Sequence, residues 1–78
     1  MSAIRIRITR PAHLGTQIRH ARRRRGLTQV ELARRAGVGT RFVSELERGK
    51  PTARLGLALE VASLVGVDLL ARARDPDA

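Results

Sequence analysis

The sequence predicts a mainly α domain of four short helices, carrying a short β-strand at each end. Between His13 and Gly66 apolar residues recur at three- and four-residue spacing, glycines stand where helices of that spacing would stop, and at both termini the spacing changes to strict alternation. The chain has 78 residues, enough for one domain. A domain of this size hides only about 60% of the surface of its unfolded chain, so a partner subunit would add stability. With Phe42 as the one aromatic residue, the core has to be assembled from Leu, Val, Ile and Ala, which suits closely packed helices.

The first strand is read at residues 3–10, where Ile4, Ile6 and Ile8 alternate with Arg5 and Arg7. Pro11 is expected to end it, because proline fixes the backbone and removes a donor. The same arginine-rich, acid-free start has the composition of a targeting peptide, but period-two alternation is not that of an amphipathic helix, so the segment is read as part of the mature fold. The first helix follows at 13–25 with Leu14, Ile18 and Ala21 inward and Gly26 as its stop.

Thr28 and Glu31 then form a capping box, in which an N-cap hydroxyl and a carboxylate three residues on satisfy each other's exposed amides. Leu27 and Leu32 flank it at the spacing of a hydrophobic staple. The second helix places Leu32, Ala33 and Ala36 inward and ends at Gly37; the third begins at Gly39 or Thr40, buries Val43 and Leu46, and closes near Gly49. About three residues separate the two, the turn length of a helix-turn-helix unit. After a loop at 50–52, Leu55, Leu59, Ala62 and Val65 or Gly66 mark a fourth helix. From Val67 the alternation of Val67, Leu69, Ala71 and Ala73 with Asp68, Leu70, Arg72 and Arg74 predicts the second strand. The organisation is thus an arm at 1–12, a helical domain at 13–66, and a strand with a tail at 67–78.

Sixteen Lys and Arg against seven Asp and Glu give a net charge of +9. Residues 1–30 hold eight of the basic residues and no acidic one, so one end of the chain is strongly positive. Such a field attracts polyanions, nucleic acid first and an anionic surface second. Lys50 is the one lysine, a skew that genome composition also produces, so charge alone is a weak pointer. There is no cysteine, which rules out disulfides and fits a reducing cytoplasm. No apolar stretch approaches the roughly 20 residues of a membrane span. His13 and His20 lack carboxylate or cysteine neighbours at metal-ligand spacing, and neither a nucleophile with its base, nor paired carboxylates, nor a phosphate loop is visible. No enzyme, metal or cofactor is expected.

Gly26-Leu27-Thr28-Gln29, Glu31-Leu32-Ala33, Gly37-Val38, Val43-Ser44 and Leu46-Glu47-Arg48-Gly49 together resemble the Cro/phage-repressor (XRE) helix-turn-helix family, over about His13 to Val67. Within it, the stretch from Arg41 to Thr52, followed by one helix and a terminal strand, is most similar to HipB-type antitoxins. That resemblance implies a dimeric repressor of its own operon that also binds a HipA-type serine/threonine kinase toxin. A phage-like or general regulator without a toxin is the alternative within the class. Outside it stands an interaction module whose basic face meets a kinase, an acidic protein or a membrane, with DNA incidental.

In this motif the helix after the turn lies in the major groove with its first turn against the bases. Projection at 100° per residue puts Val43, Leu46 and Glu47 on one side of that helix and Thr40, Arg41, Ser44 and Glu45 mostly on the other, the base-reading set. Arg41 is suited to guanine through its two acceptors, and Thr40 and Ser44 to bases or a thymine methyl. Glu45 either accepts from cytosine or orients Arg41. Thr28 and Gln29, at the amide-rich start of the second helix, are phosphate candidates, as the family resemblance also implies for Gln29. Arg48 and Lys50 join them, as do Arg23, Arg24 and Arg19 on the first helix, where a merely solvated face is the competing reading. Arg22 shares the face of Ile18 and Glu47 the inner side of the third helix, so the two are expected to form a buried ion pair. Phe42 is assigned to packing or an interface before thymine contact. Ile4, Ile6, Ile8, Val67 and Leu69 are expected to pair across a homodimer as an intersubunit sheet, since an unpaired edge invites aggregation. Two recognition helices held so would require double-stranded DNA with a near-palindromic operator.

Overall fold

The computed structural model describes residues 5–75, which form four helices: α1 Pro11–Arg24, α2 Gln29–Ala36, α3 Thr40–Glu47 and α4 Leu55–Leu64. α3 packs against both α1 and α2, and α4 packs on α2, so the helix after the turn is braced from behind by two others. Ile18, Leu32, Val43, Val61 and Val65 are fully enclosed, with Leu14, Ala21, Ala33, Leu46, Ala58 and Ala62 around them. Burying an aliphatic side chain of this size contributes about 1.5–3 kcal/mol.

α1 begins two residues before its expected start. Pro11 does not end a strand; it occupies the first helical position, where its missing N–H costs nothing and its fixed φ is already helical. The Thr9 backbone N–H donates to His13 Nδ1 at 3.1 Å, holding the chain as it enters the helix. α2 opens on the capping box: Thr28 Oγ1 accepts from the Glu31 amide and Glu31 Oε1 from the Thr28 amide, each at 3.0 Å. Gly37, at φ 68°, ends it in the left-handed region and swings the chain into α3.

α1 and α3 meet at Gly15. A Cβ there would stand 2.6 Å from the Glu47 carbonyl oxygen and nearer still to that of Leu46. The lack of a side chain lets the end of α3 lie directly on α1.

In α4 the buried face is Ala58, Val61 and Ala62, continuing to Val65, while Leu55 and Leu59 are 68% and 42% exposed. Small Ala58 and Ala62 allow close approach to α2, and a nearly all-apolar helix carries no polar stripe to declare which side faces out. One further expectation, that of strands at the termini, is corrected. Residues 5–9 and 67–74 pair with no strand among the described residues, and a strand exists only when another supplies its hydrogen bonds. Ile8 and Val67 pack against the core, Ile6 and Leu69 are exposed, and Ile4 lies outside the described residues.

Candidate nucleic-acid interface

The site is built on the corner where α1, α2 and α3 converge. Of the four N–H groups at the start of α2, the capping box satisfies those of Thr28 and Glu31, which leaves those of Gln29 and Val30 for an outside acceptor. Its hydrogen bonds with Thr28, first through the backbone and then the hydroxyl, hold the Glu31 carboxyl below the ordinary range.

Arg22 and Glu47 fix the angle between the helices. Arg22 Nε donates to Glu47 Oε2 at 2.6 Å and Nη2 to Oε1 at 2.9 Å, while Nη1 donates to the Leu27 carbonyl at 2.8 Å. The side chains are only 9% and 3% exposed. Gln29 Nε2 adds a bond to Glu47 Oε1 at 3.1 Å, so the first residue of α2 is joined to the same carboxylate. Burial pushes the Glu47 carboxyl up, but hydrogen bonds from Arg22 and Gln29 and the charges of Arg22 and Arg19 hold it below the usual value. The Glu47 hydrogen bond raises the Arg22 guanidinium, outweighing burial. Every buried side-chain polar atom among the described residues has a partner.

In front of this pair lies an open polar depression lined by Arg19, Arg23, Gln29, Ser44 and Arg48. The structure therefore gathers four of the expected phosphate residues, Arg19, Arg23, Gln29 and Arg48, and one base-reading residue, Ser44, onto one surface. Arg24 is exposed beyond this lining, and Thr28 is exposed with its hydroxyl occupied by the cap. Thr40 and Arg41 are exposed at the start of α3, with Ser44 and Glu45 partly covered one turn on. Phe42 is half-buried and packed against the core.

Glu45 points to the other flank of α3, into a depression shared with Phe42, Lys50 and Ala53. Its Oε1 accepts from Arg41 Nε at 2.8 Å and its Oε2 from Lys50 Nζ at 2.7 Å. Hydrogen bonds from Lys50 first and Arg41 second lower its carboxyl to about 2. Lys50, a phosphate candidate, is thus paired with Glu45.

Sequence reasoning missed Gly15, the Gln29–Glu47 bond, the Lys50–Glu45 bond and a bond of 2.8 Å from Arg25 Nε to the Val65 carbonyl at the end of α4. For Gly15 a signal existed, a glycine inside a helix one turn before Ile18. The others depend on how loops return the chain and leave no mark in spacing.

Two helices joined by a three-residue turn, the second braced from behind and exposed in front beside a basic, amide-rich corner, define a DNA-binding helix-turn-helix domain. A helix-turn-helix family model matches residues 18–71. An uncharacterized HTH-type transcriptional regulator of Sinorhizobium fredii is 48% identical over 67 residues, covering 83% of this chain and 88% of that protein. The chain belongs to the XRE-type helix-turn-helix family of transcriptional regulators. Its fold is similar to that in a HipB-O4 20mer complex, with a TM-score of 0.79 at 20% identity over 91% of this chain and 100% of the other. It is similar also to a chain of a HipA-HipB-O2-O3 complex, with a TM-score of 0.80 at 20% identity over the same shares, 91% and 100%. No helix among the described residues is long and apolar enough to cross a membrane.

Proposed function

We propose that this regulator is a sequence-specific repressor that binds a palindromic operator as a homodimer, and that it is the antitoxin of a HipBA-like type II module, holding a HipA-type kinase and repressing its own operon from the cytoplasm. The observation that carries the DNA reading is the geometry of α3: Val43, Leu46 and Glu47 are buried against α1 and α2 while Thr40 and Arg41 are exposed on the opposite flank. A helix placed this way offers its first turn to base edges, with Ser44 beside it. Gln29, Arg19, Arg23, Arg48 and the amides opening α2 serve the phosphates on either side. Thr28, Arg24 and Lys50 are outer members of that set, Lys50 only once released by Glu45.

Dimerisation rests on what one chain leaves uncovered. Ile6, Leu55, Leu59, Leu64, Leu69 and Leu70 are all exposed, and residues 5–9 and 67–74 pair with no strand among the described residues. Pairing residues 3–9 and 67–74 across a two-fold axis would cover Ile4, Ile6, Ile8, Val67 and Leu69 and remove the unpaired edges. The antitoxin reading is supported by the likeness to chains of a HipB-O4 20mer complex and a HipA-HipB-O2-O3 complex. The relative named only as a transcriptional regulator favours a second reading, a general regulator without a toxin.

Selection of bound duplexes from random DNA tests the DNA reading. The expected product is an inverted repeat with half-sites about 34 Å apart, bound with a steep salt dependence. Absence of any enriched sequence overturns it, and a monomer by light scattering at micromolar concentration overturns the dimer. Co-purification with the product of an adjacent kinase gene separates antitoxin from general regulator.

A further inference from the structure

Glu45 is the one acidic side chain on the exposed flank of α3, where a DNA-reading surface would ordinarily repel it from phosphate. Both of its oxygens are already engaged, Oε1 by Arg41 Nε at 2.8 Å and Oε2 by Lys50 Nζ at 2.7 Å, so a cytosine amino group would have to displace one of them. The Arg41 bond uses Nε alone. It leaves the Nη1–Nη2 edge of the guanidinium free, and that edge is the pair of donors that matches O6 and N7 of guanine. The Arg41 side chain is 89% exposed and otherwise free to swing, so this bond is what restricts its direction. On the other side, Lys50 gives its charge to the carboxylate rather than to the sugar-phosphate backbone. With its carboxyl lowered to about 2, Glu45 stays charged across the whole range in which DNA binding is measured.

We propose that Glu45 is a specificity-determining positioning residue: it aims Arg41 at a guanine and holds Lys50 back from phosphate, so that it strengthens discrimination between sequences while weakening sequence-independent binding. This rests on the reading of α3 as the recognition helix. It also resolves the two roles open to Glu45, in favour of orienting Arg41.

The test compares the native chain with Glu45→Gln, which keeps the shape and loses the charge, and with Arg41→Ala, Lys50→Gln and the Glu45→Gln/Arg41→Ala pair. The probes are the duplex that the native chain enriches from random DNA, its single-base variants, and a duplex of scrambled sequence; circular dichroism confirms that each variant is folded. Glu45→Gln is expected to bind the scrambled duplex more tightly, to steepen the slope of log K against log salt by about 0.9 as Lys50 gains a phosphate, and to lose roughly tenfold in discrimination at one G·C pair. In the Arg41→Ala background the same change should leave discrimination as it was. Lys50→Gln alone should barely alter the slope. A Glu45→Gln chain that is less stable but discriminates and responds to salt like the parent overturns the proposal and leaves the DNA reading standing. So does a loss at a C·G pair that persists without Arg41, which would make Glu45 a direct reader of cytosine. Failure of the native chain to enrich any sequence overturns both.

Discussion

Arg22 and Glu47, 25 positions apart, share two hydrogen bonds of 2.6 and 2.9 Å and so lock the end of α3 to α1, with Gln29 of α2 on the same carboxylate. One carboxylate thus joins all three helices of the site. Glu47→Ala leaves the Arg22 guanidinium buried without its counter-ion, and the expected loss of unfolding free energy is about 3–5 kcal/mol. Urea unfolding measures it. Arg22→Met with Glu47→Leu should recover much of the loss, since an apolar pair avoids the desolvation of both ions. A loss under about 1 kcal/mol for Glu47→Ala, the size of a surface pair, would show that the bridge does not brace α3.

Gly15 sets the distance between the same two helices. Gly15→Ala adds a methyl where the Leu46 and Glu47 carbonyls already stand, and an overpacked contact of this kind costs about 1–3 kcal/mol. Gly56→Ala is the control. It lies near the start of α4 with nothing within 4 Å of the added carbon, and the expected outcome is a gain of about 0.4–1 kcal/mol from the less flexible unfolded chain. Both follow from thermal or urea unfolding, and equal effects of the two changes would contradict the packing described.

The capping box gives a third outcome. Thr28→Ala removes the hydroxyl that accepts from the Glu31 amide, with an expected cost of about 1 kcal/mol. Because the same turn supplies the amides of Gln29 and Val30, DNA affinity should fall as well, equally for cognate and scrambled duplexes. A change confined to one base pair would place Thr28 among the base readers instead.

Stability should fall in acid within a defined window. Glu31, Glu45 and Glu47 all lie below the ordinary value of 4.5 in the folded chain. A carboxyl whose folded value is depressed adds stability at pH above its unfolded value, and the addition is lost as pH falls through the folded value. The carboxylate contribution is therefore constant from about pH 7 to 5.5 and declines between about 5 and 2. Urea midpoints measured across pH 2–7 check this. A decline centred above pH 6 would point to groups other than these carboxylates.

Much of the motif can be read from residues one turn apart. Thr28 with Glu31 marks one helix start, Gly37 its end, and the phases of Ile18 with Arg22 and of Leu46 with Glu47 put both ionic side chains on inner faces. Contacts made by chain reversal cannot be read this way: Lys50 reaches Glu45 only because the chain turns back after α3, and Arg25 reaches Val65 across 40 positions. The spacing that marks α4 does not tell its inner face. There Ala58 and Ala62 lie inside and Leu55 and Leu59 outside, since close helix approach favours the small residue. Pro11 has two meanings in a sequence, since the fixed φ that ends a strand equally begins a helix. The terminal alternation falls on segments that form no strand among the described residues, because spacing alone does not supply the neighbouring strand that a ladder needs.

The central claim, that the exposed flank of α3 reads bases in the major groove, is tested most directly by replacing each guanine of the selected duplex in turn with 7-deazaguanine, which removes only the N7 acceptor. The native chain should lose roughly tenfold in affinity at one symmetry-related pair of guanines, and Arg41→Ala, already lacking that contact, should be indifferent to the same replacement. If no guanine position matters, or if Arg41→Ala distinguishes sequences as well as the native chain does, α3 is not the element that reads the DNA.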